Sequence, residues 1–270
     1  MYSIIPENYS EFLFWVKERT ESFWTGNQKD EASHIVCDDW LKGAKWVGMT
    51  DEEIERTEET YNIRFTDSHK LFLKILHTID KKQIVSEYDS KGNEKQIEKS
   101  LFFNWNTDQE KIEKYLKWPS NILLKGVLND TIWLDSWGEK PISDTEKEVA
   151  FFKWFEELPK LVPLNSHRFA ISQPISSENP ILSIQGLNTI VYGRNMRHYL
   201  LSELEEHLGL LKYVYDEDEE AWHEEPTEQL LQIHKKEFDL LKGTEIPGWE
   251  EFLVSNGFND YLEITKKVIE

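Results

Sequence analysis

A single cysteine, Cys37, occurs in 270 residues, which excludes an internal disulfide framework and a cysteine-based zinc site. No run of about 18 apolar residues is found, so a membrane-spanning helix is not expected. The start, "MYSIIPENYSEFLFWVKERT", lacks a basic n-region and a small-residue cleavage site, so no signal peptide is expected. Together these absences favour a reducing cytoplasm. The twelve glycines are scattered, with no GxGxxG or Walker loop. No G-x-S-x-G elbow and no HExxH occurs. Cys37 sits between Val36 and Asp38, which offer no base to hold a thiolate. The expectation is a protein that is not an enzyme and carries no cofactor and no metal.

Basic residues are outnumbered, 31 Lys or Arg against 51 Asp or Glu. The net charge is -20, and residues 201–270 hold 19 Asp or Glu against 6 Lys or Arg. No base occurs between Lys212 and Lys235, while Asp216, Glu217, Asp218, Glu219 and Glu220 run consecutively. Such a field repels nucleic acid and anionic membranes and attracts basic proteins. A solvated segment that aids solubility would look the same, and charge by itself does not separate the two.

What is present is a core. Hydrophobic residues make up 39% of the chain, with eleven Trp, fourteen Phe and ten Tyr as buried anchors. No internal repeat or low-complexity linker marks a joint, so one domain over 1–270 is expected. Apolar residues from Tyr9 to Trp24 recur at helical spacing, and a second helix is expected over Glu31–Leu41, stopped by Gly43. Thr50 with Glu53 reads as a capping box, followed by the stripe Ile54, Thr57, Glu58, Tyr61 and Ile63. Thr66 or Asp67 caps the next helix, whose Leu71, Phe72, Ile75, Leu76 and Ile79 face the core.

After Asp80 the character changes. "QIVSEYDSKGNEKQIEKSLFFNW" predicts a hairpin turning at Lys91-Gly92-Asn93. "QEKIEKYLKWP" predicts a short helix ended by Pro119, and "NILLKGVLNDTIWLDSWG" two strands about Asn129-Asp130. "SDTEKEVAFFKWFEELP" predicts a helix with a Ser143–Glu146 capping box. "LVPLNSHRFAIS", "ILSI" and "TIVYG" supply further strands, and "NMRHYLLSELEEHLG" a helix stopped by Gly209. In the tail, a helix near Thr227–Leu241 is expected. "IPGWEEFLVSNGFNDYLEITKKVIE" is expected to dock through Trp249, Phe252, Leu253, Phe258, Leu262 and Ile264. The fold class is α+β, with a mainly antiparallel sheet of about six strands flanked by helices.

Candidate chemistry is sparse. His69 and His77 lie about 12 Å apart if both sit on one helix, too far to share a metal. His198 and His207 are similarly spaced. "AWHEEP", with Glu219 and Glu220 before it, is the nearest approach to a carboxylate–histidine cluster. His167 and Arg168 either reach a groove at a sheet edge or satisfy backbone groups and pair with an acid. Trp133 and Trp137-Gly138 are either packing residues or an interface anchor.

The stretch Trp46-x-Gly48, then "DEEIERTEETYNI" with Glu58, then "RFTDSHKLFLKIL", resembles the entry motif of the SUKH superfamily. That superfamily includes bacterial immunity proteins and fungal cell-wall-synthesis regulators of the SMI/KNR type. Phe65 takes the usual Leu place, Lys70 the Lys, and Phe72-Leu73 the Phe-Leu. Thr66 stands where Pro is usual, and His69 where Tyr is usual. "LKWPSNILLKGVLNDTIWLDSWGEKP" and "KLVPLNSHRFAISQP…ENPILSIQGLNTIVYG" look similar to a longer bacterial branch, in which WG-x-[KR]-P and SHR segments recur. The resemblance covers about residues 36–205. An N-terminal helix, 8–24, and an acidic helical extension, 206–270, would dock on that core.

The resemblance implies a non-enzymatic, protein-binding domain, in bacteria one that neutralises a cognate toxin, often a nuclease. A nuclease is basic where it binds its substrate, so an acidic surface can occlude it. Expected contact residues are Asp216, Glu217, Asp218, Glu219, Glu220, Trp222, Trp137, His167 and Arg168. Trp46, Gly48, Glu58, Phe72, Trp137 and Gly138 are expected to be structural. A regulatory or scaffold protein is the second function class, and a hydrolase using His167, Arg168 and tail carboxylates the third. Oligomeric state is not legible.

Overall fold

A computed structural model describes residues 4–26, 36–88, 91–172, 179–185, 188–241 and 246–255. The fold is α+β. Contacts gather into two compact units, each assembled from three segments. One comprises residues 1–60, 67–107 and 200–233, and the other residues 61–66, 108–199 and 234–270. Among the described residues, no helix is long and apolar enough to cross a membrane.

In the first unit, α1 (Tyr9–Phe23) is capped by Asn8, whose side chain accepts from the Glu11 N–H at 3.1 Å. It buries Phe12, Leu13, Trp15, Val16, Thr20 and Phe23. Of the helix expected over Glu31–Leu41, residues 31–35 lie outside the described residues. The remainder holds only a 3-10 turn at Asp39–Leu41, so a helix through Leu41 is corrected to a turn ending before Gly43.

β1 (Trp46–Val47) pairs antiparallel with β2 (Thr78–Ile79). Between them lie α2 (Asp51–Tyr61) and α3 (Asp67–Ile75). The Thr50 capping box forms in both directions. The Thr50 N–H donates to Glu53 Oε2 at 2.8 Å, and the Glu53 N–H donates to Thr50 Oγ1 at 3.2 Å. These bonds satisfy two otherwise orphaned donors at the helix start. Asp51, Glu52 and Glu53 add negative charge at the positive end of the helix dipole.

Ile54, Thr57, Glu58 and Ile63 are buried as expected, and Tyr61 is half-buried. On α3, Leu71 is only half-buried, and Leu73 takes the core position. His77 falls beyond α3 at φ 47°, so His69 and His77 do not share a helix.

β3 (Gln83–Tyr88) and β4 (Glu94–Lys99) form the expected hairpin. Later in this unit, β9 (Leu211–Asp216) and β10 (Ala221–Pro226) pair antiparallel. The acidic run is therefore the turn of a hairpin and not part of a helical extension.

In the second unit, α4 spans Gln109–Leu128 with Pro119 inside it. The short helix ending at Pro119 and the strand through "NILLKGVL" are both corrected. Proline removes one hydrogen bond, a cost of about 3 kcal/mol in a helix interior. The buried Ile112, Pro119, Leu123, Gly126 and Val127 nonetheless recur at helical spacing, and their common face favours an uninterrupted helix. "TIWLDSWG" is not a strand either, and holds a 3-10 turn at Asp135–Trp137.

α5 (Asp144–Phe155) begins after Ser143, whose side chain makes no capping bond, so the second capping box does not form. Here Lys147, buried on the first turn, reaches Asp130 at 2.8 Å and Asp144 at 3.6 Å.

β5 (Leu161–Asn165), β6 (Arg168–Ile171), β7 (Ile181–Gln185) and β8 (Asn188–Gly193) make a four-stranded antiparallel meander. It is the largest sheet among the described residues, where one of about six strands was expected. Ser166 at φ 48° makes the tight turn between β5 and β6. Phe169, Ile171, Leu182, Ile184 and Val191 from this sheet pack with Leu123, Val127 and Phe151.

α6 (Met196–Glu203), α7 (Glu228–Leu241) and α8 (Glu250–Ser255) follow in chain order. Trp249, Phe252 and Leu253 are buried in the second unit's core, as expected for a docking tail. Phe258, Leu262 and Ile264 lie outside the described residues.

Burial lowers the pKa of four histidines. His69 falls to about 3, helped by nearby His77, and His198 to about 3, helped by His234 and Arg194. His207 falls to about 4 despite Asp38, and His234 is lowered by burial. A histidine with a depressed folded pKa binds fewer protons folded than unfolded. Its contribution to stability is therefore complete above an ordinary pKa of about 6.5 and is lost as pH falls below that value. For one strongly shifted histidine the loss between pH 7 and 5 is about 2 kcal/mol. His69→Leu is expected to flatten the pH dependence of urea unfolding by about that amount over this range. An unchanged slope would contradict it.

Candidate functional site

The β9–β10 hairpin gathers most of the expected contact residues. Register pairs Tyr215 with Trp222, Tyr213 with Glu224, and Leu211 with Pro226, placing these six on one face. Lys212 opposite Glu225, Val214 opposite His223 and Asp216 opposite Ala221 make the other.

On the first face, the rings of Tyr215 and Trp222 lie 5.3 Å apart at 59°. They remain 46% and 53% exposed, an unusual outlay of aromatic surface for a solvated strand pair. The Tyr213 hydroxyl donates to Glu224 Oε1 at 2.5 Å. On the second face, Lys212 and Glu225 pair at 3.0 Å.

The turn is built by its acids. Asp216 Oδ1 accepts from the N–H of Asp218 at 2.8 Å and of Glu219 at 3.1 Å. These backbone bonds hold the Asp216 carboxyl below the usual range. Glu220 takes φ 51°, a left-handed position commonly filled by glycine or asparagine. Glu219 meets His223 at 3.2 Å. Glu217, Asp218, Glu219 and Glu220 are all exposed.

Further acids crowd the hairpin's base. Glu205 and Glu206 are raised by burial and by Glu224, and Glu206 also by Asp38. Burial is the larger cause for both carboxyls, and the neighbouring acids add to it. Among the described residues, no group of three or more His, Cys, Asp or Glu side chains is placed to hold a metal ion.

Asp216–Glu220 and Trp222 thus come together on one hairpin of the first unit, whereas Trp137, His167 and Arg168 belong to the second unit. Arg168 Nη1 donates to Ser183 Oγ at 2.5 Å, and its guanidinium carbon lies 3.6 Å from the centre of the Tyr192 ring. His167 Nδ1 lies 3.2 Å from Ser166 Oγ at the β5–β6 turn. Trp137 packs edge-on against Trp133 at 5.0 Å and beside Trp154 at 5.5 Å. The Trp133 Nε1–H donates to the Gly138 carbonyl at 2.8 Å. Cys37 is buried, with its thiol pushed up by burial and by Asp38, the reverse of an activated nucleophile.

Of the motif residues, Trp46, Glu58 and Phe72 lie inward, whereas Gly48 and Gly138 are exposed. Trp46 Nε1 donates to Thr20 Oγ1 at 2.7 Å, and its ring packs on Trp24 and Phe102. Glu58, 3% exposed, pairs with Lys70 at 3.0 Å. Phe72 packs edge-on against Phe102 at 5.4 Å.

Sequence reasoning missed Tyr213, Tyr215, Glu205 and Glu206, and met Glu224 only as part of "AWHEEP". The alternation of aromatic and other residues in "LKYVYD" was the available signal.

No family model, no curated protein and no solved structure matches the chain.

Proposed function

We propose that this chain is a non-enzymatic, protein-binding member of the SUKH superfamily that acts in the cytoplasm as an immunity protein. It neutralises a basic toxin domain, of which a nuclease is the leading type, by covering the toxin's cationic surface. The single observation that carries this reading is the presentation of Asp216–Glu220 as an exposed hairpin turn beside Glu224 and Glu225. An exposed acidic hairpin turn steers and engages a cationic surface, and it repels phosphate. The family reading draws support from motif residues that serve one another. Trp46 anchors to Thr20, Glu58 to Lys70, and Gly48 passes against the end of α3.

The test searches the adjacent reading frames for a secreted toxin with a basic domain and measures how well this chain protects cells against it. A variant with Asp216→Asn, Glu217→Gln, Asp218→Asn, Glu219→Gln and Glu220→Gln is expected to lose protection while folding normally, because the replaced side chains are half-buried or exposed. Protection equal to wild type by that variant would contradict the acidic-surface reading.

A further inference from the structure

We propose that the face of the hairpin formed by Tyr213, Tyr215, Trp222 and Glu224 is a seat for an arginine side chain carried on an extended basic segment of the partner. This rests on the acidic-surface reading above and adds the chemistry of the contact. The rings of Tyr215 and Trp222 are tilted at 59°, so they do not cover one another, and about half of each remains in water. A guanidinium within about 6 Å of such a ring is attracted by its quadrupole, most strongly by tryptophan.

Glu224 lies two residues from Trp222 on the same face, about 7 Å along the strand. Its Oε1 accepts from the Tyr213 hydroxyl, which steadies a carboxylate whose second oxygen can accept from another donor. A planar guanidinium can lie on Trp222 and turn an N–H toward Glu224, whereas an ammonium is a compact hydrated charge that gains less from the ring. The chain itself contains this arrangement, in Arg168 over Tyr192 with an N–H to Ser183.

Neither β9 nor β10 pairs with a third strand among the described residues. An extended segment laid beside β10 presents alternate side chains to one face, which matches the spacing of Trp222 and Glu224. Charge decides the occupant. Asp216–Glu220 and the pair Glu205 and Glu206 repel a nucleic acid and equally repel a second copy of this acidic chain.

The experiment titrates the full chain with labelled alternating Arg-Thr and Lys-Thr peptides of equal length and follows fluorescence anisotropy. Wild type is expected to bind the arginine peptide about threefold to fivefold more tightly than the lysine peptide. Trp222→Leu should bind the two equally, Trp222→Tyr should keep the preference, and both variants should unfold at the wild-type midpoint. Equal affinities in wild type, a preference that survives Trp222→Leu, or no binding of either peptide would overturn the proposal. The Asp216–Glu220 neutralised variant should weaken both peptides together and keep their ratio. Undiminished binding by that variant, with the ratio kept, overturns the acidic-surface reading and leaves the arginine seat standing.

Discussion

Gly48→Ala is expected to destabilise the first unit by about 3 kcal/mol, near the upper end of the usual range for overpacking, measured by urea unfolding. A Cβ at residue 48 would sit 2.0 Å from the Lys74 carbonyl oxygen and 2.8 Å from its carbon. Both atoms belong to backbone, so no side chain can swing aside. The segment cannot retreat either. Trp46 and Val47 pair with Ile79 and Thr78, and the Met49 N–H donates to the Leu73 carbonyl at 2.9 Å. Gly43→Ala is the control. Its Cβ meets nothing within 4 Å, and only the φ of 74° is strained, a cost of about 1 kcal/mol. Equal losses for the two variants would show that close backbone approach is not what Gly48 provides.

Trp249→Ala is expected to cost about 3 to 5 kcal/mol in the unfolding of the second unit. The ring is fully buried and packs against Trp154 at 5.7 Å and Phe252 at 5.5 Å. The segment around it is also tied by polar contacts. Trp154 Nε1 donates to the Gly248 carbonyl at 3.0 Å, and Glu251 accepts from the Ser136 N–H at 3.1 Å. Trp249→Phe should cost much less, because the indole N–H is buried without a hydrogen-bond partner among the described residues. A loss below about 1 kcal/mol for Trp249→Ala would mean that the tail lies on the unit without stabilising it.

Legibility in the sequence followed the locality of the signal. The Thr50–Glu53 box and the Gly92 hairpin depend on residues a few positions apart, and both form. Ser143–Glu146 has the same spelling without the bond, because a capping pattern permits the geometry and does not impose it. Pro119 misled for a related reason. Its local preference is against helix, but the burial of Ile112, Leu123 and Val127 on one face outweighs a lost hydrogen bond. No joint was visible between the two units because each is built from separated segments, so no single linker divides them.

The candidate site was half legible. Charge located Asp216–Glu220, but the run holds no glycine, proline or asparagine, and the turn-forming capacity of Asp216 was masked by the acids around it. Asp216 replaces a glycine-based turn by accepting two backbone N–H groups. Register across β9 and β10 then brings Tyr215 to Trp222, a pairing that spacing along the chain does not disclose.

Association with a basic toxin domain sought in the adjacent reading frames, followed by calorimetric titration at low and high salt, tests the central claim most directly. The account predicts that wild-type affinity falls steeply as salt rises, and that neutralising Asp216–Glu220 weakens binding at low salt and flattens the dependence. Affinity that is independent of salt, and unchanged by neutralising the turn, would contradict it.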